Sequence, residues 1–146
     1  MKKAVGFLAA VLAIASVLTA CSARSPISAD DFQKAAQDAG YEVTQDASYG
    51  SDAASLVASK SDSDVQIIFT VFPDAITAKQ KYASQKKSLA VSDGGSTIDS
   101  DAYNKYTAQS GEIYYALVRL DHTLLVCKGT VSDKNEIDNF VKQIKY

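Results

Sequence analysis

The chain has 146 residues, with 15 Lys and Arg against 17 Asp and Glu and a formal charge of −2. That mildly acidic balance, without any run of basic residues, argues against nucleic acid as a partner and against a polybasic grip on anionic lipid. The single histidine, His122, excludes a histidine-rich metal site.

Lys2 and Lys3 precede an apolar run of about 15 residues that begins at Ala4, and small residues then lead to Cys21. These are the parts of a secretory signal. Alanine dominates the run, and Ser16 and Thr19 polarise its end, so it is short and weakly hydrophobic for a membrane span of roughly 20 residues. The tetrad Leu18-Thr19-Ala20-Cys21 resembles the lipobox of bacterial lipoproteins, an aliphatic residue and two small residues before the cysteine. The resemblance implies cleavage before Cys21, diacylation of its sulfur and acylation of the new amine. It covers residues 1–21 alone, so it implies a location and a lipid but no activity.

The organisation that follows is a signal peptide over residues 1–20, a lipidated tether over 21–26 and a single domain over 27–146. Two acyl chains anchor a protein stably where one does so marginally. Five extended tether residues reach about 17 Å, which holds the domain low on the membrane. Processing removes two of the 15 basic residues, Lys2 and Lys3, and no acid, which leaves 13 against 17 and a charge of about −4. With Cys21 taken by lipid, Cys127 has no partner for an intrachain disulfide, and the domain must be stabilised by its core.

Ile27-Ser28-Ala29-Asp30-Asp31-Phe32 reads as a helix start, with Ser28 as N-cap, Asp31 approximating a capping box and Ile27 stapling onto Phe32. Ala35, Ala36 and Ala39 continue the apolar stripe and Gly40 stops it, which predicts a helix over 29–39. A short strand over 41–44 and a polar turn over 45–53 follow. Residues 55–59 and 65–72 predict a hairpin, with Val65, Ile67, Phe69 and Val71 alternating onto one face. Pro73 ends it. Asp74 then caps a helix over 75–89, with Ala75, Ala78, Tyr82 and Leu89 on one stripe and lysines on the other.

Residues 91–100 read as a loop rich in Ser, Asp and Gly. Strands are predicted over 103–109, 112–120 and 123–131, joined at Ser110-Gly111 and Asp121-His122, two-residue connections that imply antiparallel pairing. A last helix begins after Ser132. Asp133 and Glu136 lie there in capping-box spacing, and Ile137, Phe140, Val141 and Ile144 recur at helical intervals.

The fold class expected is α+β, an antiparallel sheet with three helices packed mainly on one face as a two-layer sandwich. A coarse ββα likeness links the segment after Thr70-Val71 to that after Thr130-Val131; duplication and the mere recurrence of such units in two-layer folds both account for it.

Chemistry-bearing motifs are scarce. No Gly-x-Ser-x-Gly elbow, P-loop or Gly-x-Gly-x-x-Gly is present. His122 sits in a predicted turn, and Cys127 inside an apolar strand reads as a small buried hydrophobe. Asp93, Asp99 and Asp101, and separately Asp62 with Asp64, offer oxygen ligands, but their spacing matches no EF-hand. Neither a metal nor a cofactor is expected.

Tyrosine is the remaining enrichment, eight residues with no tryptophan. Pairing across Ser110-Gly111 sets Tyr106 opposite Tyr115, and pairing across Asp121-His122 sets Tyr115 opposite Lys128, Leu117 opposite Val126 and Arg119 opposite Leu124. The other face carries Tyr114, Ala116, Val118, Leu120, Leu125, Cys127 and Gly129, whose small residues suit close helix packing. If helices cover that second face, the first is an exposed patch of the composition interfaces favour; helices on the first face would bury the patch instead, and the alternation does not choose between the two. The candidate partner- or ligand-binding residues are accordingly Tyr106, Tyr115, Arg119 and Lys128, with Cys21 as the lipidation site. The function expected is a noncatalytic binding or interaction module on the outer side of a bacterial cytoplasmic membrane, or at the outer membrane of a Gram-negative source. Its membrane contact would be the lipid on Cys21, and its partner a protein or a small ligand. The alternatives are an extracytoplasmic enzyme built from scattered carboxylates and tyrosines, and an accessory subunit of a membrane complex.

Overall fold

The computed structural model describes residues 24–47, 53–89 and 95–146; the signal segment, Cys21, Tyr49 and Asp93 lie outside the described residues. The first helix, α1 (Ala29–Asp38), starts as its cap dictates: the Ser28 hydroxyl accepts the Asp31 N–H at 3.1 Å and donates to the Asp31 carboxylate at 2.8 Å. It ends in a Schellman turn. Gly40 sits at φ +84°, and the Tyr41 N–H returns to the Ala36 carbonyl at 2.9 Å.

Three strands follow as a meander, β1 (Glu42–Gln45), β2 (Ala54–Ser59) and β3 (Gln66–Val71). The Asp74 carboxylate then accepts the Thr77 N–H at 2.7 Å and starts α2 (Ala75–Leu89); the same bond holds the Asp74 carboxyl below its ordinary range. The second meander comprises β4 (Ser96–Asp99), β5 (Tyr103–Ser110), β6 (Ile113–Leu120) and β7 (Thr123–Thr130). A 3-10 turn, Val131–Asp133, leads into α3 (Lys134–Gln143). All pairings are antiparallel, in the order β1-β2-β3-β7-β6-β5-β4.

Two local expectations change. Strand β4 arises where a loop was expected; all four of its residues are exposed, so no alternation marks it, and it is held by the backbone of β5. The β5–β6 turn is Gly111-Glu112 and not Ser110-Gly111, because glycine takes the first turn position at φ +57°. Tyr106 therefore faces Leu117, and Tyr115 faces Ala108. A two-residue shift leaves every side chain on its expected face.

The face with small residues takes α1 and α3, one of the two arrangements the alternation allows. Ala116, Val118, Leu125 and Cys127 join Ile67 and Phe69 against Phe32 of α1 and Ile137, Phe140 and Val141 of α3. Phe32 stacks on Phe69 with ring centroids 4.6 Å apart. Among the described residues, α1 and α3 thus share one face, and α2 covers part of the other, setting Ala78 and Tyr82 on Phe72, Tyr106, Leu117 and Leu124. Since α2 and α3 lie on opposite faces, the ββα likeness is one of succession and not of two-fold symmetry about the antiparallel β3–β7 pair. Burying a large apolar side chain contributes about 1.5–3 kcal/mol. Among the described residues, both cores are built from residues within 27–146, so that stretch carries its own core. No helix among the described residues is long and apolar enough to cross a membrane.

Candidate functional site: a cleft beside α2

The four residues expected to share an open patch are divided by α2. Tyr106 is 5% exposed and Arg119 1%, so neither is on an open surface. The reason is the stripe on α2, whose Ala78 and Tyr82 need an apolar partner and take Leu117 and Leu124 from the middle of the patch. Tyr115 and Lys128 remain a cross-strand pair near the end of α2, Tyr115 half-buried and Lys128 exposed. With Ile68, Gln85, Leu89 and Val126 they line a shallow pocket of about 210 Å³.

A larger cleft, about 630 Å³, lies on the other flank of α2, between the helix and the turn joining β4 to β5. The helix contributes Lys79, Tyr82, Lys86 and Lys87, and the strand side contributes Asp99, Ser100, Asp101 and Asn104, so the wall carries both signs of charge. Asn104 is fixed from three directions. Its amide donates to Asp99 Oδ1 at 3.0 Å and to the Ser100 carbonyl at 3.2 Å, and its oxygen accepts from Arg119 Nε at 2.5 Å. The other Arg119 nitrogens donate to the Asp121 carbonyl at 2.8 Å and the Asp101 carbonyl at 2.6 Å. All three partners are neutral, and Asp99 reaches the guanidinium only through the Asn104 amide. A buried charge held by dipoles projects its field into the space beside it.

Tyr82 forms the inner wall. It is 4% exposed, and among the described residues its hydroxyl is the one buried side-chain polar atom without a hydrogen-bond partner. Such a group costs about 1–3 kcal/mol if left unsatisfied. Burial is the main cause that pushes the phenol up to about 12, with the Asp99 charge adding and the Arg119 charge opposing, so it stays a neutral donor. A neutral donor of this kind, with Lys79 and Lys87 on the same wall and Lys86 paired to Asp99, can recognise a polar or anionic group. The Tyr82 ring and the lysine stems supply the apolar part of the wall.

The remaining candidates lie elsewhere in the structure or are engaged by neighbouring groups. His122 occupies the β6–β7 turn, with Nδ1 3.0 Å from the Asp121 carboxylate. Cys127 is fully buried and unpaired, and burial pushes its thiol up. Asp99 is 3.4 Å from Lys86 Nζ, and Asp101 gives its carbonyl to Arg119. Asp62 and Asp64 share a groove with Asp133 and Glu136. Among the described residues no three His, Cys, Asp or Glu side chains are arranged to hold a metal ion. Asp133 boxes with Thr130, and Glu136 instead accepts bonds from Tyr41 and Lys60. Tyr82 and Asn104 were not singled out in sequence, where one reads as a core stripe and the other as an ordinary strand residue.

No protein-family model matches the chain, and no curated protein matches it in sequence. Among solved structures it is similar to a GTP binding regulator from Thermotoga maritima, with a TM-score of 0.54 and 18% identity over 81% of this chain and 84% of that one. A likeness at this identity concerns the fold alone.

Proposed function

We propose that this chain is a lipid-anchored, extracytoplasmic, noncatalytic binding module that takes a small ligand in the cleft beside α2. The anchor reading is supported by the Leu18-Thr19-Ala20-Cys21 tetrad behind its apolar run. It places the domain on the outer side of the cytoplasmic membrane, or at the outer membrane of a Gram-negative source. The observation that carries the binding reading is the buried, unpartnered hydroxyl of Tyr82, a residue that lines the cleft. The ligand class that fits is a small molecule with an apolar body and one polar or anionic group. The carboxylates of Asp74, Asp99, Glu136 and Asp138 are each held in hydrogen bonds to neighbouring groups.

Two measurements test this. Labelled palmitate should enter the wild-type chain and not Cys21→Ser; equal labelling removes the anchor. Anilinonaphthalene sulfonate, an apolar ring system with one anion, should bind the native domain, and Tyr82→Phe should weaken it about tenfold, the loss of one buried hydrogen bond. Tyr82→Phe should also fold at least as stably as wild type, because it removes an unsatisfied hydroxyl. Equal dye binding by the two proteins rejects the cleft as the site.

A further inference from the structure

A second cleft, about 950 Å³, opens on the opposite face of the sheet, where the chain enters the domain. Its cations come from separate parts of the sequence: Arg24 ahead of α1, Lys105 on β5, Lys134 and Lys142 on α3, and Lys145 just beyond it. The carboxylates there are already committed. Asp138 takes Lys134 Nζ at 2.5 Å and the Tyr114 hydroxyl at 2.7 Å, and Asp31 is bound by Ser28. Lys105, Lys142 and Lys145 make no direct ion pair among the described residues, although the Lys105 charge acts on Asp138. In a domain with more acidic than basic residues, this is a local reversal of sign.

Lys145 adds an independent observation. It lies at φ +63° in the Schellman turn that closes α3, where its N–H bonds the Lys142 carbonyl at 3.0 Å and the Tyr146 N–H bonds the Val141 carbonyl at 2.9 Å. The matching position after α1 is Gly40, the residue this conformation favours. A lysine held in left-handed backbone is strained, and such strain collects at functional positions. Here it presents an ammonium to the cleft. Arg24 follows Cys21 by three residues, a span of about 11 Å when extended, close to one Debye length.

We infer that this cleft docks onto the phosphate groups of anionic phospholipids in the membrane that holds the anchor, which fixes the orientation of the domain; the inference rests on the reading of Cys21 as lipidated. No run of basic residues betrays it, because the lysines meet only in the fold. The binding cleft beside α2, on the other face of the sheet, is then turned away from the bilayer.

The test uses the unlipidated domain, residues 22–146, which carries its own core, and vesicles of phosphatidylcholine with or without phosphatidylglycerol. Cosedimentation is expected with the anionic vesicles alone and should be lost at high salt. Lys105→Gln, Lys142→Gln and Lys145→Gly should each lower the partition constant roughly fivefold, while Lys81→Gln on α2 leaves it unchanged. Unaltered unfolding midpoints of the two glutamine variants, and a raised one for Lys145→Gly, exclude misfolding as the cause. Equal binding by the triple variant and wild type, or equal binding to both vesicle types, overturns the inference. Because Cys21 is absent from this domain, palmitate labelling and vesicle binding fail separately. A chain that takes lipid but ignores phosphatidylglycerol keeps its anchor and loses the docking cleft, and binding to phosphatidylglycerol without lipid on Cys21 does the reverse.

Discussion

Tyr41 and Glu136, 95 positions apart, are joined by a 2.6 Å hydrogen bond from the phenol to Glu136 Oε1, and the same oxygen accepts Lys60 Nζ at 2.6 Å. The bond ties the turn that closes α1 to the first turn of α3, above the edge contact of Tyr41 with Phe140. Lys60 first, and Tyr41 second, hold the Glu136 carboxyl below its ordinary range. A depressed folded value means that the stabilisation is fully present above the unfolded glutamate value of about 4.3 and is lost as pH falls through the folded one. Glu136→Gln should therefore lower stability at neutral pH. Its side chain is 38% exposed, which discounts the effect to about 1 kcal/mol. The gap between variant and wild type should close as unfolding is followed into acid; a gap independent of pH would show that the charge of Glu136 contributes nothing.

Tyr106 and Tyr115 point from the same sheet face, yet one lies beneath α2 and the other at its end. Tyr106→Ala should cost roughly 3–5 kcal/mol of folding free energy, the loss of a packed ring. Tyr115→Ala should cost about 1 kcal/mol. Denaturant unfolding of the two variants reads the difference directly, and equal losses would contradict the placement of α2.

Arg119 satisfies three acceptors at once, the Asn104 side chain and the carbonyls of Asp101 and Asp121. Arg119→Met keeps much of the volume but strands all three, and should cost about 3 kcal/mol or more. Arg119→Lys offers one point donor in place of a planar fork and should fall between Met and wild type. A lysine variant as stable as wild type would show that the fork geometry is immaterial.

Cys127 sits in β7 under α3, where desolvation raises its thiol and so removes the reactive thiolate. Disulfide reagents should modify the native domain only as fast as it opens, and should react at once in denaturant. Native reaction at the rate of a free peptide cysteine would place the thiol outside the core.

The helix ends were legible because their signals are local: Ser28 and Asp74 cap, Gly40 terminates, and the structure places each as read. The small side chains on the face bearing Ala116 and Cys127 suit close helix packing, but the imperfect alternation along these strands does not choose between the two faces. What local pattern did not carry was the side taken by α2, since its stripe specifies an apolar partner but not which of two apolar faces supplies it. Strand β4 escaped because Ser96, Thr97, Ile98 and Asp99 are all exposed and owe their pairing to β5. The sites were hidden for a related reason. That Tyr82 is buried without a partner, and that Lys105 and Lys145 share a cleft, are properties of the assembled layers.

Among the described residues, five of the six strand pairings join neighbours in sequence, and β3 with β7 does not. Each meander can therefore zip from local turns, whereas the central seam must draw together segments separated by α2 and three strands. The entropic cost of such a closure grows only with the logarithm of the loop length, but it has to be met before any contact across the seam forms. Ile67 with Cys127 and Phe69 with Leu125, all fully buried, meet there. Until they do, each half shows a bare apolar edge to solvent, so the two meanders are mutually dependent for folding, and the join that completes the sheet is also the one that shields it from pairing with another chain.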